Sequence, residues 1–188
     1  MPRLFVALEV PEDVRAALQE LTLILKAKSP GAKWTAPEQM HVTLKFIGEV
    51  ADEKMNPIRT ALQNVNSTSP VELAFRGVGF FPNEKRPHTF WCGVKASKNL
   101  AQLAADISKS LEPLGIENEQ RAFVPHLTLA RIKSPSDARQ LVAASRDWHG
   151  KLFGTTRATE FHLFSSLLKS SGPVHTLIES YPFVKETA

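Results

Sequence analysis

The chain has 188 residues, of which 43% are hydrophobic and 22% charged, with a net charge of +4 and a single cysteine. This composition supports a buried core in one domain or two small lobes. It excludes an internal disulfide, favours a reducing compartment and offers no run of about 18 apolar residues to span a membrane; the mild positive charge suits an anionic ligand without demanding one.

Leu4–Glu9 reads as an apolar strand that begins almost at once. That leaves no room for a secretory leader and gives the expectation of a soluble, cytoplasmic protein. Pro11-Glu12-Asp13 opens a helix, with proline and acids in its first turn. Val14, Leu18, Leu21 and Leu25 follow at helical spacing until Ser29-Pro30-Gly31 breaks it. Lys33-Trp34 is a short extended piece, and Pro37-Glu38 turns into a strand that starts at His41 and ends at Gly48. A second helix carries Met55, Ile58, Leu62 and Val65. Pro57 gives it either a late start capped by Asn56 or a ragged first turn. Val71, Leu73 and Phe75 alternate as a half-buried strand continued by Gly77–Phe81, and Pro82–Pro87 is a charged loop.

The pattern then begins again. Thr89–Lys95 is an apolar strand in which Cys92 reads as buried filler. Ser97 caps a helix carrying Leu100, Leu103, Ile107, Leu111 and Leu114, and Gly115 stops it. A loop from Glu117 to Arg121 leads through Pro125 into a strand starting at His126. From Leu8 to His41 is 33 residues, and from Val94 to His126 is 32. A strand–helix–strand unit is used twice. Ser136–Ser145 forms a further helix. Lys151–Thr156, Glu160–Ser165 and Val174–Tyr181 read as strands, with Gly172-Pro173 as a turn.

Each unit ends on the same kind of stretch: His41-Val42-Thr43-Leu44-Lys45-Phe46-Ile47 and His126-Leu127-Thr128-Leu129-Ala130-Arg131-Ile132. In a strand, residues two apart share a face. His41 projects with Thr43, and His126 with Thr128, while Val42, Leu44, Leu127 and Leu129 turn to a core. A duplicated α+β unit packed about a pseudo-two-fold axis would set the two His-Thr pairs on either side of one cleft. The expected fold class is α+β: two pseudo-symmetric lobes with facing, mainly antiparallel sheets.

Free imidazole titrates near pH ~6.5, so of two histidines one can accept a proton while the other donates one. Threonine hydroxyls beside them can donate to the oxygens of an anion held between. A phosphodiester attacked in line fits this layout. The other histidines (His88, His149, His162, His175) lack a threonine two residues on and read as surface or structural. A zinc site built on His41 and His126 lacks ligand spacing to support it, so no metal or other cofactor is expected. Lys45, Lys85, Arg86, Arg121 and Arg131 read as solvated surface that could extend the footprint of an anionic ligand. Phe5, Phe46 and Trp91 read as core, with base stacking as the alternative.

Together these stretches resemble the 2H phosphoesterase superfamily, and within it the RNA 2′,3′-cyclic phosphodiesterases, also called LigT-like or 2′-5′ RNA ligase-like proteins. The resemblance is carried by Arg3–Leu8 with Pro11, Trp34, His41–Gly48, Gly79–Pro82, Trp91, Arg121–Arg131 and Gly172–Leu177. It implies a single bilobal domain over residues 1–188 that hydrolyses RNA or nucleoside 2′,3′-cyclic phosphate to a 2′-phosphomonoester without metal. It implies His41 as proton donor to the departing 3′-oxygen and His126 as the base that activates water. Thr43 and Thr128 would grip the phosphate, and Arg131 would help, although strict alternation turns Arg131 away from His126. Many relatives carry tyrosine where this chain has Phe164. The alternatives are 2′-5′ ligation at the same site and a nucleotide- or RNA-binding module without turnover. The partner expected is an RNA or nucleotide with a cyclic phosphate end, bound by a monomer away from any membrane.

Overall fold

The period-two runs assemble into two antiparallel sheets in the computed structural model, which describes residues 2–65, 69–170 and 172–183. The elements in chain order are β1 (Arg3–Glu9), α1 (Glu12–Lys26), β2 (Lys33–Trp34), β3 (His41–Glu49), α2 (Met55–Gln63), β4 (Val71–Phe81), β5 (Thr89–Ala96), α3 (Asn99–Leu111), β6 (His126–Arg131), α4 (Pro135–Ala144), β7 (Leu152–Ala158), β8 (Glu160–Lys169) and β9 (Gly172–Pro182). One sheet runs β3-β1-β8-β9 and the other β2-β6-β5-β4-β7. The duplication is visible in the pairing. β3 lies antiparallel to β1, and β6 antiparallel to β5, so each His strand pairs with the first strand of its own unit. The expected α+β architecture is borne out.

The units are tied together. β2, from the first unit, pairs with Ala130 and Arg131 of β6. Helix α1 lies against β7 and α3 against β3. Gly154 of β7 has no side chain because α1 is in the way: a Cβ there would stand 2.7 Å from Val14 Cγ2. One apolar cluster runs through both sheets and the helices, including Val42, Ile58, Phe75, Phe90, Ile107, Leu127 and Phe161. Cys92 is buried in it, and burial pushes its thiol up to about 12. No described helix is long and apolar enough to cross a membrane.

Several boundaries differ from the sequence reading. Helix α2 has the ragged start: a 3-10 turn at Asp52–Lys54 runs into Met55, and Asn56 is not a cap. Ser97 does not cap α3; its hydroxyl accepts from the Glu72 amide and so fastens the helix entrance to β4. The cap of α4 is Ser134, whose hydroxyl accepts from the Asp137 amide at 3.1 Å. Gly172 and Pro173 belong to β9, paired with Lys169 and Leu168, so the hairpin is longer than the turn signal suggests.

Candidate active site

The two His strands share an irregularity that decides where their side chains point. Opposite β1, Thr43 pairs with Ala7 but Lys45 pairs with Val6, leaving Leu44 unmatched. Opposite β5, Thr128 pairs with Trp91 but Ala130 with Phe90, leaving Leu129 unmatched. Each strand has a β-bulge one residue after its threonine, and a bulge reverses the alternation beyond it. Leu44 and Lys45 are therefore both buried, as are Leu129 and Ala130. The next residues, Phe46 and Arg131, return to the face of the histidines. Strict alternation turns Arg131 away; the bulge brings it back to the face of His126 and Thr128. It also corrects the surface reading of Lys45, which is 4% exposed and donates its ammonium to the Glu117 carbonyl.

The imidazoles are held alike. His41 Nδ1 lies 3.1 Å from the Gln39 carbonyl, and His126 Nδ1 lies 2.8 Å from the Val124 carbonyl. A carbonyl only accepts, so Nδ1 carries the proton in both rings and Nε2 is left to exchange one. Gln39 is itself fixed, its side-chain amide donating to the Pro173 carbonyl in β9.

Around His41 the sheet face is aromatic. Phe5 and Phe164 stack at 5.3 Å, and the His41 ring lies 4.4 Å from Phe164 and 5.3 Å from His175. Burial among these rings lowers the His41 pKa to about 4 against the partial compensation of its Gln39 bond, and His175, Arg15 and His162 push it down further. Burial also holds His175 below the ordinary imidazole range. The pH consequence has a definite sign. Between about pH 4 and ~6.5 the unfolded chain binds a proton at position 41 that the folded chain does not. Stability is therefore greatest above this window and falls on acidification through it. Urea unfolding at pH 7 and pH 5 measures the loss, and His41→Gln is expected to lose less than the wild type.

His126 sits against a different wall. The Phe81 ring meets it edge-on at 4.9 Å, and Phe81 packs at 5.1 Å on Trp91. Strands β3 and β6 approach each other across the junction of the sheets. A cavity of about 960 Å³ opens there, with Thr43 and Phe46 on one side, Phe81, His88 and His126 on the other, and the Asn118–Val124 segment and α3 beyond. His41 shares the face of Thr43, and Thr128 and Arg131 continue the face of His126, but none of these three lines the cavity. Of the five residues assigned to the site from sequence (His41, Thr43, His126, Thr128 and Arg131), Thr43 and His126 line the cavity directly.

Several neighbours are not legible in the sequence. His162 is 4% exposed, bonded through Nδ1 to the Ser180 hydroxyl at 2.9 Å. It and His175 stand on the His41 face because β8 pairs with β1 and β9 with β8. His162 is structural as expected; His175, with Nδ1 buried and unpartnered, belongs to the surroundings of His41. Arg15 of α1 carries no motif that marks it, yet its charge reaches His41. Among the described residues no group of His, Cys, Asp and Glu is placed to hold a metal ion.

The model of the LigT-like phosphoesterases matches residues 8–91 and 93–175, one segment holding His41 and the other His126. The chain belongs to this family. It is 34% identical to an RNA 2′,3′-cyclic phosphodiesterase of Archaeoglobus fulgidus, over 92% of this chain and 96% of that one. It is 31% identical to an RNA 2′,3′-cyclic phosphodiesterase of Methanocaldococcus jannaschii, over 95% and 99%. Its fold superposes on the crystal structure of TT0787 of Thermus thermophilus with a TM-score of 0.82 at 31% identity, covering 98% of this chain and 99% of that one. The likeness to E. coli LigT complexed with 3′-AMP, TM-score 0.77 at 22% identity over 98% and 100%, is one of fold.

Proposed function

We propose that this LigT-like phosphoesterase hydrolyses RNA or nucleoside 2′,3′-cyclic phosphates to 2′-phosphomonoesters by two-histidine acid–base catalysis. The observation that carries the reading is the matched pair of imidazoles. Each is locked by a carbonyl on Nδ1, each has a threonine on its own face, and each is mounted on one of two strands that meet at a cleft. The names of the relatives support the substrate class.

In this reading His126 Nε2 takes a proton from water as the water oxygen attacks phosphorus. The bond from phosphorus to the 3′-oxygen breaks on the far side, and His41 Nε2 gives its proton to that oxygen. The product keeps the phosphate on the 2′-oxygen. His126 is left protonated and His41 neutral, and exchange with solvent resets both. Thr43 and Thr128 donate to the non-bridging oxygens, where charge develops. Arg131, on the same face farther along β6, adds a guanidinium on the flank of the phosphate. His41 rests neutral in the free protein, so a donor's proton has to arrive with the substrate. The negative charge of the phosphate, brought beside a desolvated imidazole, favours its cation.

The test is adenosine 2′,3′-cyclic phosphate incubated with the protein in excess chelator, the product isomer being identified. Adenosine 2′-phosphate as sole product, at an unchanged rate in chelator, is the expected result. The 3′-isomer would reverse the polarity of the two histidines relative to the ribose. A rate abolished by chelator would overturn catalysis by imidazoles alone.

A further inference from the structure

Lys45 is a buried cation on an apolar strand. It is 4% exposed, no carboxylate pairs with it among the described residues, and its one described hydrogen bond runs to the Glu117 carbonyl. Taking an ammonium out of water for a single neutral acceptor is less favourable than placing an apolar side chain there. The arrangement does nothing for the core, so its use lies in what the ammonium holds. Glu117 belongs to residues 116–125, the approach to His126, and Asn118, Arg121, Phe123 and Val124 of that stretch line the cavity of about 960 Å³. Among the described residues the stretch makes no backbone–backbone hydrogen bond. The Asn118 amide bonds only back to Glu112, and the Val124 carbonyl only to the neighbouring His126. Ile116 and Phe123 rest on the core near its two ends. Between them, the bond from Lys45 is the one polar tie to another element among the described residues.

The other unit fastens its His strand's approach in a different way. The approach to His41 carries β2, whose Trp34 pairs with Ala130, and the Thr35 amide donates to the Leu129 carbonyl at 2.9 Å. Leu129 and Ala130 are the bulge of β6. Each approach is thus held by the other unit's His strand, at its bulge. Lys45 and Ala130 are counterparts, each four residues after a histidine. At Ala130 the held segment comes within reach of the backbone, and a methyl group suffices. At Lys45 no strand lies alongside, and a long side chain ending in a donor spans the gap to the carbonyl.

We propose that Lys45 is a positioning residue that pins residues 116–125 to β3 and so fixes the far wall of the substrate cleft. Without the pin the wall opens, and the substrate has to close it on binding. That raises KM and leaves kcat, read at saturation, close to wild type. One hydrogen bond from a charged donor is worth about 10–150-fold in such an equilibrium. The same opening exposes Arg121 to trypsin, because local cleavage follows the open population. Wild type, Lys45→Met and, as a second apolar replacement, Lys45→Leu are compared with Lys54→Met. The last removes a similar bond, from an exposed lysine to the Leu114 carbonyl just outside the stretch. Both Lys45 variants are expected to be cut after Arg121 faster than wild type by that factor. They are expected to show a matching rise in KM for adenosine 2′,3′-cyclic phosphate, while Lys54→Met behaves as wild type in both respects. Melting temperatures are measured alongside. An unchanged rate of cutting after Arg121 overturns the pin, and so does cutting throughout the chain or a loss carried by kcat alone. The kinetic arm rests on the cyclic phosphodiesterase reading, whereas cutting by trypsin needs no turnover. A wild type that hydrolyses nothing therefore overturns that reading, and the cut after Arg121 still decides the pin.

Discussion

His41→Ala and His126→Ala each lower kcat by about 10²–10⁴-fold, the usual worth of one positioned proton transfer. The two changes fail in different steps. Without His126 the attacking water keeps its proton; without His41 the 3′-oxygen leaves as an alkoxide. The double variant is expected to be little worse than the weaker single one, because residues acting on one transition state do not contribute additively. Folding gives an independent control. His126 packs against Phe81 at the mouth of the cavity, and its loss leaves the core untouched. His41 is wedged among Phe5, Phe164 and His175 and held well below its ordinary pKa by burial. Its removal relieves a desolvated polar group and leaves a hollow, two effects of opposite sign. Single-turnover rates with circular dichroism of each variant make the measurement. A variant that folds and keeps kcat within threefold of wild type would remove its histidine from the mechanism.

The sequence carries the site better than it carries the surroundings. Two His-Thr stretches with matched strand–helix approaches are a local signal, and local alternation puts each histidine on its threonine's face. A bulge, by contrast, is a property of a pair of strands. Leu44 is skipped because of how β3 lies on β1, and no single stretch announces it. That is why the sequence reading puts Lys45 on the surface and Phe46 in the core, the reverse of the structure. The same blindness hides His175 and Arg15. Their approach to His41 depends on β8 entering between β1 and β9, and on α1 folding over the turn before β3. Sequence spacing does not specify strand order, because β1 could have paired with either flanking strand. Ser134 is a different case: serine before proline at a helix start is a readable cap, and it lies two residues ahead of the start at Ser136 that the apolar spacing suggests.

Gly79→Val is expected to lower kcat by about 10–100-fold from a position that touches no substrate. Gly79 lies in β4 opposite Trp91 of β5, and the indole lies directly over it. A Cβ at 79 would stand 2.3 Å from Trp91 Cζ2 and 2.4 Å from Cη2, with three ring atoms within 3.0 Å. The backbone there is ordinary extended strand, which valine favours, so the obstacle is the ring alone. Trp91 has its indole nitrogen buried without a partner, so no hydrogen bond resists its displacement. It cannot retreat through the sheet, whose other face is filled by Phe90 and Cys92, both 0% exposed. It has to swing toward the cleft, into Phe81 at 5.1 Å, which in turn bears on His126 at 4.9 Å. Misplacing a reacting group by about 1 Å can cost on the order of 10²-fold, which sets the upper end of the expected loss. Overpacking typically costs about 1–3 kcal/mol of stability, so the protein is expected to stay folded at room temperature. The chain of contacts is tested by adding Trp91→Leu to Gly79→Val. Leucine leaves room for the valine, so the pair is expected to recover activity that Gly79→Val alone loses, a coupling that independent sites do not show. Full kcat in Gly79→Val would mean that the indole moves without disturbing Phe81, and that the wall behind His126 tolerates the shift.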